Sequence, residues 1–208
     1  MWAPYSPDAD EAGRSVITDR PSRTRTAVVT DWRSSCKFAY AACGDADLRW
    51  AQRINQSATR PRVYALLRVA DWLGNGVLWY VVIAALFFSG NDTARACAID
   101  MLITGTVGLL LYMALKRSTS RARPFARCAD IQLCARALDE FSFPSGHAQH
   151  TVAFALVLGS YYPLAAFALA PFVVLVSISR VALGLHYPSD VVAGAALGAA
   201  IAATVLAV

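Results

Sequence analysis

Five apolar blocks fill the sequence from Trp72 onward, and no other feature limits the possible folds so severely. They run from about Trp72 to Phe88, Ala96 to Leu115, His147 to Tyr162, Leu164 to Ser179 and Val191 to Val208. A helix crossing hydrocarbon needs about 17–25 mostly apolar residues, so the third and fourth blocks are marginal alone. Backbone polar groups inside lipid must bond within their own segment, which makes these blocks helices rather than strands. Pro163, between the third and fourth, predicts a tight helical hairpin. Gly194 and Gly198 form a small-xxx-small pattern in the last block, suited to close helix packing. The expected fold is an all-α membrane protein, a bundle of about five transmembrane helices. A hydrophobic fraction of 57% over 208 residues agrees, being too high for an ordinary soluble domain.

The N-terminal part differs. Residues 1–44 carry Pro4, Pro7 and Pro21 among Asp and Arg, and read as a flexible polar tail without a cleavable signal peptide. A membrane domain is expected over residues 45–208, with amphipathic helices over 45–71 and the transmembrane core over 72–208. Within 45–71, Leu48, Trp50, Ile54, Val63 and Leu66 alternate with Arg49, Arg53, Arg60, Arg62 and Arg68, and Pro61 divides the stretch in two. Such helices suit the membrane interface or the bundle surface. The net charge of +5 comes with no aromatic-interleaved basic strand or recognition helix, so the bilayer and phosphate-bearing lipids are better partners than nucleic acid. No CxxC pair occurs among the five cysteines; Cys128 and Cys134 share a polar loop and are either free thiols or a disulfide if that loop is extracytoplasmic.

The remaining polar residues gather in two loops, Lys116 to Gly146 and Arg180 to Asp190, which crossing counts place on one membrane face. A phosphoryl group entering there brings about two negative charges and needs multidentate cationic donors. Lys116, Arg123 and Arg180 supply them, and Arg forks match phosphate oxygens. Ser145 and Gly146 stand just before a helix, where free N–H groups and the dipole favour an anion. His186 and Asp190 are four apart, so on a helical turn their side chains can meet. A carboxylate bonded to one imidazole nitrogen leaves the other free to attack phosphorus. His147, from the opposite loop, is placed to protonate the leaving oxygen. Read as a pair alone, His186 and Asp190 could instead ligate a metal or make a capping contact. The surrounding cations repel a divalent ion and carboxylates are few, so no metal or other cofactor is expected.

These residues carry a resemblance. Lys116 with Arg123-Pro124, then Pro144-Ser145-Gly146-His147, then Ser179-Arg180 with His186 and Asp190, is similar to the three signatures of the type-2 phosphatidic acid phosphatase superfamily, in order. The resemblance implies His186 as nucleophile, Asp190 as its partner and His147 as the acid. Lys116, Arg123, Ser145, Gly146 and Arg180 would hold phosphate. It also implies a membrane lipid phosphatase or diphosphatase working through a phosphohistidine, with polyprenyl pyrophosphate, phosphatidylglycerol phosphate, phosphatidic acid and lipid A phosphates as candidate substrates. Rival readings are a lipid phosphotransferase using the same site, a non-enzymatic transporter or lipid-binding bundle, and the related vanadium haloperoxidase chemistry. The sequence leaves the oligomeric state open.

Other polar residues read more plainly. His150 and Asp100 are expected to be satisfied within the bundle or at its edge, and Arg117, Arg121, Arg127 and Arg136 to be solvated or near headgroups. Asp139 and Glu140 read as loop charges able to pair with those arginines, and Trp50, Trp72 and Trp79 as interfacial anchors or packing. The resemblance implies a bacterial inner membrane with the site facing the extracytoplasmic side. Against that orientation, Arg95 is the one Lys or Arg expected on the opposite face, which the positive-inside rule disfavours.

Overall fold

The computed structural model describes residues 44–58, 60–137 and 139–208. Residues 1–43 of the tail, with Cys36 and Cys43, lie outside the described residues. In chain order the helices are α1 (Gly44–Ser57), α2 (Pro61–Trp72), a π-helical turn (Leu73–Val77), α3 (Leu78–Phe88), α4 (Asp92–Thr119), α5 (Pro124–Arg127), α6 (Gly146–Tyr161), α7 (Pro163–Ala182) and α8 (Pro188–Leu206). No β-strand occurs among the described residues. The protein is an all-α membrane protein.

Among the described residues, four helical runs are long and apolar enough to cross a membrane: Pro61–Phe88, Asp92–Thr119, Pro163–Ala182 and Pro188–Leu206. The fifth expected crossing, α6, has 16 residues and is about 24 Å long at the usual helical rise. It is the packing centre of the bundle, lying against α8, α7 and α4. Leu102, Ile103, Leu110, Leu164, Phe167 and Val192 are exposed, a surface suited to lipid.

The first crossing differs from its expected start at Trp72. The helical run begins at Pro61, so the second amphipathic helix and the first spanning segment are one element. No breaker separates Arg62 from Leu73, and Pro61 occupies the first helical turn, where its missing N–H costs nothing. The run bends at Asn75 and Gly76, whose φ of 106° suits glycine. Of the tryptophans, Trp50 and Trp72 are exposed, whereas Trp79 is buried against Phe154 and Phe172.

Gly194 and Gly198 set the contact of α8 with α6. A Cβ at Gly194 would collide with the Ser145 carbonyl oxygen, and one at Gly198 with that of Gln149. The two backbones therefore touch along one helical turn, which fixes the start of α6 against the start of α8.

Candidate active site

Four helix ends meet at one surface of the bundle: the C-termini of α4 and α7 and the N-termini of α6 and α8. Ser120 ends α4 in a left-handed conformation (φ 46°) and turns the chain back. Ala122 then pairs with Phe141 in an isolated antiparallel bridge, and Ser142 N donates to Arg121 O at 2.8 Å. This strap carries the Ser142 carbonyl beneath the turn that links α7 to α8.

That turn holds His186, 2% exposed. Its Nδ1 lies 2.6 Å from Ser142 O. Its Nε2 lies 3.5 Å from Arg123 Nη1 and 3.4 Å from Arg180 Nη2. A carbonyl only accepts and a guanidinium only donates, so the proton sits on Nδ1 and the lone pair on Nε2. Burial, and then the charges of Arg180, Arg123 and Lys116, hold the imidazole pKa well below its ordinary 6.5, although the Ser142 bond opposes them. The ring is a neutral base with its lone pair aimed between two cations.

Asp190 stands behind this ring in a different arrangement from the expected one. His186 precedes α8 and Asp190 lies in its first turn, so the two do not share a helical turn. Asp190 Oδ2 is 3.6 Å from Nδ1 and accepts Tyr187 N at 2.8 Å. Asp190 Oδ1 accepts Arg121 Nη1 at 2.5 Å. Arg121, expected as a solvated loop charge, is 12% exposed and also pairs with Asp47 at 2.7 Å. It is partly covered by α1, which is anchored where Asp47 accepts Ser189 N at 3.1 Å and the Ser189 hydroxyl as well. The guanidinium also stacks on the Tyr187 ring, 4.1 Å from its centroid.

On the other side of His186, Arg123 Nη1 donates to Leu185 O at 2.8 Å. Its Nε and Nη2 go to Asp139, to the backbone oxygen at 3.0 Å and to Oδ1 at 2.8 Å. Lys116 Nζ lies 2.5 Å from Asp139 Oδ2 and 2.5 Å from the Tyr112 hydroxyl, and that hydroxyl donates to Asp139 at 2.8 Å. Asp139 is thus a partner of two buried cations rather than a simple loop charge. Burial pushes its carboxyl up, but the bonds from Lys116 and Tyr112 and the charges of Lys116 and Arg123 prevail and bring it down to about 2.

Arg180 Nη1 pairs with Asp71, near the end of α2. Asp71 Oδ1 also lies 4.0 Å from His147 Nε2. A path of polar contacts therefore runs from Lys116 through Asp139, Arg123, His186 and Arg180 to Asp71, and His147 stands beyond hydrogen-bond reach of its end. Ser145 joins through its backbone, its N donating to Asp190 O at 3.0 Å, and Gly146 lies against the Tyr112 ring. Ser145 Oγ, His147 Nε2 and Arg180 Nε are buried here and have no hydrogen-bond partner among the described residues. No side chain caps the N-terminus of α6. Such an arrangement, with cations and unpartnered donors beside a neutral imidazole, can take an anion.

Sequence reasoning passed over Asp71, Asp47, Tyr112 and Ser142. Asp71 carried a usable signal, an acid one turn from an apolar helix segment; the role of Ser142 is played by its backbone and has none. His150, as expected, is satisfied inside the bundle, its Nδ1 2.9 Å from Gly146 O. Asp100 accepts the Tyr161 hydroxyl at 2.6 Å. Cys128 and Cys134 are free thiols, so the possible disulfide is not formed; each packs against a separate apolar cluster.

A cavity of about 380 Å³ opens beside the site. Gly146 and His147 line its polar end, and Trp79, Ile83, Met101 and Phe154 its apolar depth.

The family model described as the PAP2 superfamily matches residues 97–208. Decaprenylphosphoryl-5-phosphoribose phosphatase of Mycobacterium tuberculosis is 31% identical over 151 residues, covering 70% of this chain and 80% of that protein. Undecaprenyl-diphosphatase of Sulfolobus acidocaldarius is 32% identical over 145 residues, 69% of this chain and 68% of that one. The crystal structure of Aquifex aeolicus LpxE superposes with a TM-score of 0.68, covering 77% of this chain and 94% of its own. At 24% identity that likeness is one of fold. Matched by the family model over more than half its length, and built of helices able to span a membrane, this chain belongs to the PAP2 superfamily.

Proposed function

We propose that the protein is a membrane lipid phosphatase or diphosphatase that works through a phosphohistidine on His186. The observation carrying this reading is the orientation of His186, with Nδ1 bonded to Ser142 O at 2.6 Å and Nε2 facing Arg123 and Arg180. An anion drawn to the two guanidiniums meets the lone pair. Nε2 attacks phosphorus, the bond from phosphorus to the lipid oxygen breaks, and the leaving oxygen takes a proton from His147. That ring, held neutral by burial and the nearby cations, takes up its proton with the substrate, whose phosphate charge offsets them. Water then attacks the P–N bond, His147 receives its proton, and phosphate leaves with His186 restored. Fixed positive charge around the spreading negative charge supplies most of the acceleration.

The orphaned Ser145 Oγ and Arg180 Nε support this reading, since a phosphate between them would complete their bonding. The adjoining apolar cavity supports a substrate whose phosphate is attached to a hydrocarbon chain. The two phosphatases named above from Mycobacterium tuberculosis and Sulfolobus acidocaldarius act, by their names, on polyprenyl-linked phosphates, which supports a polyprenyl phosphate or diphosphate as a candidate substrate. We place the site on the extracytoplasmic face of a bacterial inner membrane, following the family resemblance.

Phosphate release by the purified full chain in detergent, from a panel of lipid phosphates and diphosphates with excess EDTA, tests the reading. Release that resists EDTA and vanishes in His186→Ala is the expected result. No release without an added alcohol acceptor, and transfer with one, would replace hydrolysis by phosphotransfer.

A further inference from the structure

Asp139 occupies the bonding positions an entering phosphate would need. The Nε and Nη2 edge of Arg123 is the fork that matches a carboxylate or phosphate; Asp139 meets Nε with its backbone carbonyl at 3.0 Å and Nη2 with carboxylate Oδ1 at 2.8 Å, so the carboxylate holds the Nη2 place. Lys116 gives the other carboxylate oxygen its ammonium at 2.5 Å, and Tyr112 adds its hydroxyl at 2.8 Å. Two carboxylate oxygens, bridging a lysine and an arginine, reproduce two oxygens of a phosphate held by the same pair.

We propose that Asp139 is an internal stand-in anion, filling the phosphate cradle while it is empty and displaced by the phosphate of the substrate. The inference rests on reading Lys116 and Arg123 as phosphate-binding residues. Its partners are more deeply buried than it is: the side chains of Lys116 and Arg123 are 8% and 2% exposed, that of Asp139 32%. Lys116 belongs to α4 and Arg123 is tied to Leu185, whereas Asp139 lies in the irregular segment between α5 and α6. With the cradle empty, the carboxylate spares two buried cations an uncompensated charge. Its return after reaction helps expel product phosphate.

A stand-in and a positioning residue predict opposite signs. A carboxylate that merely aligns Lys116 and Arg123 helps them bind phosphate, so its loss weakens binding. One that competes must leave first, so its loss strengthens binding by the inverse of the fraction of time the cradle is open. The test is titration calorimetry of inorganic phosphate into the purified full chain in detergent, comparing wild type, Asp139→Asn, Asp139→Ala and Lys116→Ala. The expected result is about tenfold tighter phosphate binding in both Asp139 variants, for a cradle open about a tenth of the time, and loss of binding in Lys116→Ala. Tyr112→Phe, which removes one carboxylate bond and keeps every charge, tightens binding by a smaller factor and serves if the Asp139 variants do not fold. Unchanged or weaker phosphate binding in the Asp139 and Tyr112 variants, with Lys116→Ala still deleterious, overturns the stand-in role. Phosphate binding indifferent to Lys116→Ala instead overturns the cradle on which the inference rests.

Discussion

The Ser142 carbonyl, not the Asp190 carboxylate, makes the hydrogen bond to His186 Nδ1: the first is 2.6 Å away, the second 3.6 Å. The backbone strap therefore sets the tautomer. Asp190 acts at one remove, by holding Arg121 and the first turn of α8.

This division of labour predicts that Arg121→Met and Asp190→Asn resemble each other. Each breaks the same ion pair; Arg121→Met leaves the buried Asp190 without its cation, a change that typically costs about 3–5 kcal/mol, while Asp190→Asn leaves Arg121 its Asp47 partner and costs less. Both are expected to lower the melting temperature in detergent and to reduce kcat more than they raise KM. In a double-mutant cycle, the pair should couple by more than about 1 kcal/mol. Additive effects would show that Arg121 and Asp190 do not act together.

The depressed pKa of His186 has a sign that can be checked. The unfolded chain takes up a proton near pH 6.5 that the folded ring refuses, so folding stability falls as pH drops below that value. The slope reaches about 1.4 kcal/mol per pH unit for one such group. Asp139, depressed to about 2 from 3.8, adds a further loss as pH falls between those values. Melting curves of wild type and His186→Gln between pH 7.5 and roughly pH 5 test the first effect; the variant should lose part of the slope, and parallel curves would contradict it.

Gly198→Leu should separate α8 from α6. Its side chain would have to enter space held by the Gln149 carbonyl, and overpacking of this kind typically costs about 1–3 kcal/mol. A lower melting temperature in detergent is expected, with an unchanged one showing that the helices can part without cost.

Gly105 lies on the wall of the cavity, and a Cβ there would come within 3.0 Å of the Phe154 ring. Gly105→Leu narrows the apolar end and leaves the polar end intact. KM should rise about tenfold for a long-chain lipid phosphate, since each buried methylene is worth about 0.8 kcal/mol, and should change little for a short-chain analogue. Equal effects on both would place the chain elsewhere.

What could be read from the sequence divides along physical lines. The meeting of Lys116, Arg123, Arg180, His147 and His186 at one surface was legible because the apolar blocks bring their loops to one face. Close packing of the last helix was legible in the spacing of Gly194 and Gly198, but not that α6 is its partner. Partners were not: Asp71 meets Arg180 across 109 positions and Asp47 meets Arg121 across 74, and no local periodicity records such pairings. The start of the first crossing was missed because Arg62 and Arg68 suggested an interfacial helix, whereas Arg68 bonds the Cys134 carbonyl of the loop above it. The two carboxylate roles assigned to Asp139, loop charge or arginine partner, could be separated only in three dimensions.

The most direct measurement of the central claim is isolation of the covalent intermediate. Wild type, His186→Gln and His147→Ala would be mixed briefly with a lipid labelled with radioactive phosphate, denatured in alkali and examined for label on the protein. An acid-labile, alkali-stable phosphohistidine in wild type, absent from His186→Gln, is the predicted result. Label on another residue, or phosphate release that survives in His186→Gln, would contradict a reaction centred on His186.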